Sequence, residues 1–573
     1  MRSGRPSARA TRQVGPPDVA PTAGTVARLP LLALAAAAVV LHVVVNRVSV
    51  YGLHRDELLY LAMGRHLRFW GMDFPPGIAV LAETTRALLG DTDGALRAGP
   101  ALAHAALVLL AGLLASALRG GRGAQLLAAV AVLASPLFLR AGHLFQPLVF
   151  DQLWWTLALL ALVHIGRAAS EGVDPARPSS DASWTTPGGR RRRLAWSARS
   201  GQWLSHATAS PWMLLGLAGG LGLLTKFSIL FLGAAVAAAL VVGPLRRSLL
   251  TVRPWLALAV ALLVGAPSIV GQLRLGWPVL GQMRELRGTQ LVHVGALDFL
   301  GGQLLLGPAV LLAVLGVWTL LAARWTRGAR TAGLACAFAF ALLLALRGKA
   351  YYVAPVYPLL FAAGAVALEQ GTRGWRLRRS GAAPRLRIAG ALIVAYGLVT
   401  LPVALPMLPP AATARWAATL GVDAATRTNT GQSLALPQDF ADMLGWPELA
   451  ATVAEAYAAL PDSARADVAV LAGNYGQAGA LEFYGPRVGL PPVVSPAGSY
   501  WFFGPGDRVA DPVLTVGVPE AALRGRCTRV VPLGVVRHAD TRWLVPEERD
   551  VPLFLCEGPN PSLRASWRTL KSE

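Results

Sequence analysis

The chain has 573 residues, 54% of them hydrophobic and 15% charged, with a formal net charge of +22 and a mean hydropathy of +0.48. Soluble chains average about 45–50% apolar and about 25% charged residues, and the apolar excess here sits in blocks long enough to span a bilayer at ~1.5 Å rise per residue. A soluble enzyme, a disordered chain and a disulfide-stapled secreted module are excluded, which leaves a polytopic membrane protein. The positive charge is read as a topology signal, with no nucleic-acid partner expected.

Residues 1–28 contain no apolar run and read as a disordered basic tail on the cytoplasmic side. The first hydrophobic segment, 29–46, lacks a cleavage site before a polar mature sequence and reads as a retained helix. Further spans are predicted at 101–118, 124–140, 148–166, 211–225, 227–243, 254–271, 300–323, 331–347, 353–369 and 388–406, eleven in all. Thr225-Lys226 splits the run 211–243 into two. With the N-terminus inside, the inside segments carry 26 Lys or Arg and the outside loops before residue 407 carry 13. This is the bias expected of cytoplasmic loops in a multi-pass protein of the cell membrane.

An odd number of spans leaves residues 407–573 outside, with the composition of a soluble α/β domain. A buried strand is predicted at 467–472, a helical run at 477–484, and short strands at 493–494, 513–516 and 530–536. The three cysteines, Cys336, Cys527 and Cys556, exclude a structural zinc site built on cysteine. Cys527 and Cys556 can pair if this region faces an oxidising compartment.

The chemistry concentrates in the first outside loop, 47–100. It holds His54-Arg55-Asp56-Glu57, then Tyr60, Asp73-Phe74-Pro75-Pro76 and Arg97. Adjacent carboxylates at a membrane face are costly unless solvated, paired or bound to a metal, and a loop of this length is usually functional. Asp151 falls about one turn inside the fourth span, where an ionisable group either bonds between helices or serves a site. Only three of the 53 Lys and Arg residues are lysine. Two of these, Lys226 and Lys349, fall at outer helix ends, Lys349 beside Arg347, Tyr351 and Tyr352. A snorkelling cation could equally be Arg, so the two lysines point to an anionic lipid head group.

Asp56-Glu57-xx-Tyr60, Asp73-Phe-Pro-Pro76, Gly94-Ala-Leu-Arg97 and Phe150-Asp151 resemble the glycosyltransferase family 39 membrane enzymes. Relatives of that family include protein O-mannosyltransferases and the lipid A aminoarabinose transferase. The segment Lys349–Pro358 is similar to a later loop of bacterial members, and Asn474–Ala478 with Phe483-Tyr484-Gly485 to their C-terminal domain. The resemblance implies an all-α GT-C membrane bundle of about 11 transmembrane helices (29–406), followed by a soluble α/β extracytoplasmic domain (407–573). It further implies a polyprenyl-phosphate-sugar donor and an extracytoplasmic acceptor: a protein, a lipid or a cell-wall glycan.

On this reading Asp56 is the general base, or orients the acceptor hydroxyl, with Glu57 beside it. Lys349, Arg347, Lys226 and Arg97 are expected to bind the donor phosphate. His54, Tyr60, Asp151, Tyr351 and Tyr352 are expected to line the pocket. Asp56, Glu57 and Asp151 are candidates for a divalent cation, and His54 is either an Asp56 partner or a ligand. The competing readings are a transporter or flippase of lipid-linked sugars, which should show internal symmetry and mid-membrane charges, and a non-catalytic protein that binds envelope glycans.

Overall fold

The computed structural model describes residues 25–171, 211–371, 381–421, 426, 431–508 and 511–571. Residues 1–24 of the predicted tail and the Arg190–Arg193 run lie outside them, and Arg28, assigned to that tail, is the first residue of the first helix.

All eleven predicted spans have helical counterparts. Six helices are long and apolar enough to cross a membrane: Arg28–Val48, Asp93–Ala117, Pro147–Ser170, Arg324–Ala345, Ala350–Gln370 and Ala382–Ala404. Three pairs of helices are long and apolar enough when taken together and are sharply bent at a break: Arg122–Leu133 with Pro136–His143 (60°), Val252–Val264 with Ala266–Arg274 (57°), and Ala296–Leu306 with Ala309–Ala322 (109°). Each bend falls at a proline or glycine (Pro136, Gly265 with Pro267, Gly307 with Pro308), where the helical ladder loses a donor or gains backbone freedom. The 109° break makes the predicted span 300–323 two helical segments, one ending at Leu306 and one running Ala309–Ala322. Pro211–Thr225 and Ile229–Val242 are shorter apolar helices, separated at Lys226. The chain is a multi-pass membrane protein.

Two devices hold the bundle. Helix Arg28–Val48 buries Leu31, Ala35, Ala38, His42 and Val45, a stripe recurring every three or four residues, and leaves its other faces to lipid. Elsewhere small residues bring backbones together, since lipid supplies no hydrophobic drive between helices. A Cβ on Gly316 would sit 2.1 Å from the Leu360 carbonyl oxygen, and one on Gly364 2.0 Å from that of Leu312. The two helices therefore touch backbone to backbone.

The C-terminal unit carries a five-stranded sheet in the order β2-β1-β3-β5-β4. Its strands are β1 (Ala469–Ala472), β2 (Val493–Val494), β3 (Val513–Val516), β4 (Cys527–Val536) and β5 (Val551–Pro559). β1 lies parallel to β2 and β3, and β5 runs antiparallel to both β3 and β4. Strand β5 was not legible in the sequence: prolines at both of its ends obscure the alternation. Helix Tyr475–Tyr484 follows β1 and lies directly on helix Arg55–Arg65 of the first loop, where a Cβ on Gly479 would come within 2.8 Å of the Leu58 Cβ.

Cys527 and Cys556 form a disulfide across residues 29 apart. Closing a loop of this size stabilises a fold by roughly 2–4 kcal/mol, chiefly through the unfolded chain. A Cys527→Ser/Cys556→Ser variant is expected to unfold its C-terminal unit several degrees below the wild type in a thermal scan. An unchanged midpoint would mean that the crosslink restrains nothing.

Candidate active site

His54 caps helix Arg55–Arg65 and sets the directions of the carboxylates that follow. Its Nδ1 accepts from the Asp56 amide at 3.0 Å, while its own amide donates to Glu57 Oε2 at 2.8 Å. Consecutive helix positions point about 100° apart, so Asp56 and Glu57 leave the helix on different faces. They meet different fates.

Glu57 is fully buried and bound on every side. Arg97 donates to it twice, Nε to Oε1 at 3.0 Å and Nη2 to Oε2 at 2.7 Å, and the Phe145 amide donates to Oε1 at 2.8 Å. Burial alone would push its carboxyl up, but Arg97 and the two amides outweigh that and hold it below the usual carboxylate range. Arg97, 1% exposed, spends its remaining donors on Asn46 Oδ1 (3.2 Å) and the Gly52 carbonyl (2.8 Å). Both residues had been expected at the reaction centre. Instead they form a buried pair that ties the first loop to the bundle, Glu57 accepting four hydrogen bonds and Arg97 donating through all three of its side-chain nitrogens.

Asp56 faces the open side and its side chain is 31% exposed. Its Oδ1 accepts from the Tyr475 hydroxyl at 3.0 Å and its Oδ2 from the Gln146 amide at 3.1 Å. One donor comes from the C-terminal unit and one from the start of helix Pro147–Ser170, so three separate parts of the chain fix this carboxylate. Tyr60 lies one turn on, on the same helix face. Burial, with Asp56 and Tyr475 adding to it, keeps its phenol well above the ordinary value. The Arg55 guanidinium stacks 4.6 Å over the Tyr475 ring.

Behind Asp56, His54 Nε2 stands 3.7 Å from Asp442 Oδ2 and 3.9 Å from Asp439 Oδ1. Asp439 also pairs with Arg140. Burial pushes the Asp442 carboxyl up to about 6, against the pull of His54 and Arg55. His54 therefore acts as an Asp56 partner, through the Asp56 amide.

The two lysines come together with the inner carboxylate. Lys226 lies 5.5 Å over the Tyr352 ring and within electrostatic reach of Asp151 and Asp56. Asp151 accepts from Trp155 Nε1 at 3.1 Å and Ser228 Oγ at 2.7 Å. Lys349 Nζ donates to Gln290 Oε1 at 2.6 Å and feels Lys226, Asp439 and Asp56; burial first, then Lys226, brings it down to about 8. The Tyr351 and Tyr352 rings pack edge to face at 4.8 Å. Arg347, by contrast, is exposed on a left-handed backbone (φ 53°) and is not drawn into this group.

The divalent-cation candidates do not fit a shared ion. Glu57 is saturated by Arg97 and two backbone amides, Asp151 is held apart from it by Trp155 and Ser228, and no cluster of three or more His, Cys, Asp or Glu side chains among the described residues can hold a metal. Sequence reasoning missed Gln146, Asp439, Asp442, Gln290 and Ser228 altogether. Tyr475 alone had a signal, in Asn474-Tyr475-Gly476.

Residues 201–270, which include Lys226, match the family model described as dolichyl-phosphate-mannose-protein mannosyltransferase. Among solved structures the chain is similar to ArnT from Cupriavidus metallidurans in the apo state, with TM-score 0.54 and 16% identity over 92% of this chain and 97% of that one. The same enzyme bound to undecaprenyl phosphate gives TM-score 0.53 at the same identity and coverage. The chain has the ArnT fold. No curated protein matches the sequence. Both matches agree with the resemblance drawn from Asp56-Glu57, Asp151 and Lys349–Pro358.

The Tyr475 hydroxyl is the test of whether the C-terminal unit helps to set Asp56. A hydrogen bond to a charged group contributes about 1.5–3 kcal/mol, so Tyr475→Phe should lower kcat/KM for the reaction proposed below roughly ten- to a hundredfold, with folding intact. A value within twofold of wild type would remove Tyr475 from the site.

Proposed function

We propose that this chain is an integral-membrane glycosyltransferase that moves a sugar from a polyprenyl-phosphate donor to an extracytoplasmic acceptor by inverting displacement. The observation that carries the reading is the grouping of one part-exposed carboxylate, Asp56, with two half-buried lysines, Lys226 and Lys349, at helix ends. ArnT, whose fold the chain shares, binds undecaprenyl phosphate in one of its structures. The Cys527–Cys556 disulfide suits an oxidising compartment and supports the outward placement of the C-terminal unit.

In the reaction, Asp56 takes the proton from the acceptor hydroxyl as that oxygen bonds to the anomeric carbon. The bond from the anomeric carbon to the phosphate oxygen breaks on the opposite side, and its electron pair leaves with the polyprenyl phosphate. A singly charged phosphodiester thereby becomes a monoester with a second negative charge. Lys349 and Lys226 stabilise that developing charge, as a fixed electrostatic clamp does in a site shielded from water. Gln290 and Asp151 position the two ammonium groups. Charges at helix ends rather than mid-membrane argue against a transporter.

Lys349 gives this clamp a pH signature. The free protein's Lys349 titrates at about 8, so it is an ammonium below that pH and loses its charge as pH rises through it. The kcat/KM for donor, which reports groups of the free enzyme, should therefore fall above about pH 8. Lys349→Arg should abolish the fall, while giving partial activity because a planar fork replaces a point charge. Lys349→Ala should be poor at every pH. Superimposable profiles for wild type and Lys349→Arg would show that Lys349 does not meet the phosphate. For the function as a whole, mass spectrometry of envelope glycans in a deletion strain should show loss of one sugar substituent; an unchanged glycan, lipid and protein profile would count against it.

A further inference from the structure

The opposite end of the bundle carries a feature that the transfer reaction does not use. About 240 Å³ of recess opens between the ends of three helical segments, walled by Arg119, Arg167, Arg324, Arg327, Glu171 and Trp325. A second recess of about 210 Å³ adjoins it, sharing Ser170, Arg327 and Gly328 and adding Arg330. Helix Pro147–Ser170 joins the two ends of the molecule: Asp151 stands near its start and Arg167 near its finish, about 24 Å apart at ~1.5 Å per residue.

Three observations separate this place from arginines that merely set topology. The recess is built: Gly166 and Gly328 meet so closely that a Cβ on Gly166 would lie 1.8 Å from the Gly328 oxygen, so no side chain can fill the floor. Its charge is unbalanced. Glu171, the one carboxylate in the wall, already meets Arg119 at 2.7 Å and Arg167 at 3.6 Å, and no carboxylate among the described residues pairs with Arg324 or Arg327. Finally, Arg330 Nε is buried with no hydrogen-bond partner, an open donor in the wall of the adjoining recess.

The geometry points to a binding site for the phosphodiester head group of an anionic glycerophospholipid, held by Arg324 and Arg327 with Arg330 behind them. Guanidinium forks match phosphate oxygens two at a time, and basic pockets between transmembrane helices favour anionic head groups. The recess opens where the apolar span Pro147–Ser170 ends and the apolar span Arg324–Ala345 begins, the level of a head group. Trp325, 39% exposed beside it, suits the membrane interface. A bound lipid would tie the end of helix Pro147–Ser170 to the first turns of helix Arg324–Ala345. None of this depends on the transferase reading.

Native mass spectrometry of the full chain, purified with equal amounts of phosphatidylglycerol and phosphatidylcholine, tests the site. Wild type should retain phosphatidylglycerol at least tenfold over phosphatidylcholine, and R324Q/R327Q should fall to parity. R324K/R327K keeps both charges and controls for folding; it should hold the lipid more weakly than wild type but above parity. Equal retention of phosphatidylglycerol by wild type and R324Q/R327Q overturns the proposal, as does wild type with no preference between the lipids. Displacement of the lipid by millimolar inorganic phosphate would make free phosphate the ligand and overturn the lipid assignment; persistence of the lipid supports it.

Discussion

Asp56→Asn should reduce sugar transfer by about 10²–10⁴-fold, the contribution typical of a positioned general base. The substitution keeps the size of the side chain and removes its charge and basicity. The Tyr475 hydroxyl, 3.0 Å from Oδ1, can still donate to the amide oxygen, so the loop should stay in place. Only the Gln146 contact at 3.1 Å would oppose one donor to another. Expression, membrane insertion and thermal midpoint are therefore expected near wild type, and initial rates with a labelled donor give the loss. More than a tenth of wild-type activity would remove Asp56 from the role of base.

Its neighbour should behave in the opposite way. Glu57→Gln leaves the Arg97 guanidinium buried without its anion, and removing one partner of such a pair typically costs about 3–5 kcal/mol. That is a large share of the ~5–15 kcal/mol by which folded proteins are stable. Glu57→Gln should thus appear as lost protein or a sharply lowered thermal midpoint, before any effect on chemistry. Replacing both partners, Glu57→Leu with Arg97→Met, should recover much of the midpoint, because neither charge is then stranded. A stable, well-folded but inactive Glu57→Gln would return Glu57 to the reaction centre.

The contrast between these two residues marks where the sequence stops being informative. Apolar runs locate membrane helices because a bilayer demands an unbroken stretch of apolar residues, and Lys226 announces a break because an unpaired ammonium cannot sit inside one. The bundle was legible for that reason. Adjacency in sequence, however, does not say which of two carboxylates faces the cavity; that depends on Arg97 and Phe145, 40 and 88 positions away. Arg97 is expected among the phosphate-binding cations, whereas its guanidinium bonds to Glu57, Asn46 and Gly52. Asp439, Asp442 and Gln290 carry no local pattern at all. They reach the site through the packing of the C-terminal unit and of the segment after Arg274 onto the bundle, which no periodicity records.

In the proposed reaction the lipid–sugar bond is cleaved here and the sugar passed on. The most direct measurement incubates the purified chain with polyprenyl-phosphate sugars labelled at the anomeric carbon, together with an envelope fraction as acceptor. One polyprenyl phosphate should be freed for each labelled sugar transferred, and the new glycosidic bond should have inverted configuration. Label that crosses the membrane still joined to its lipid, or a panel of such donors returned intact, would contradict it.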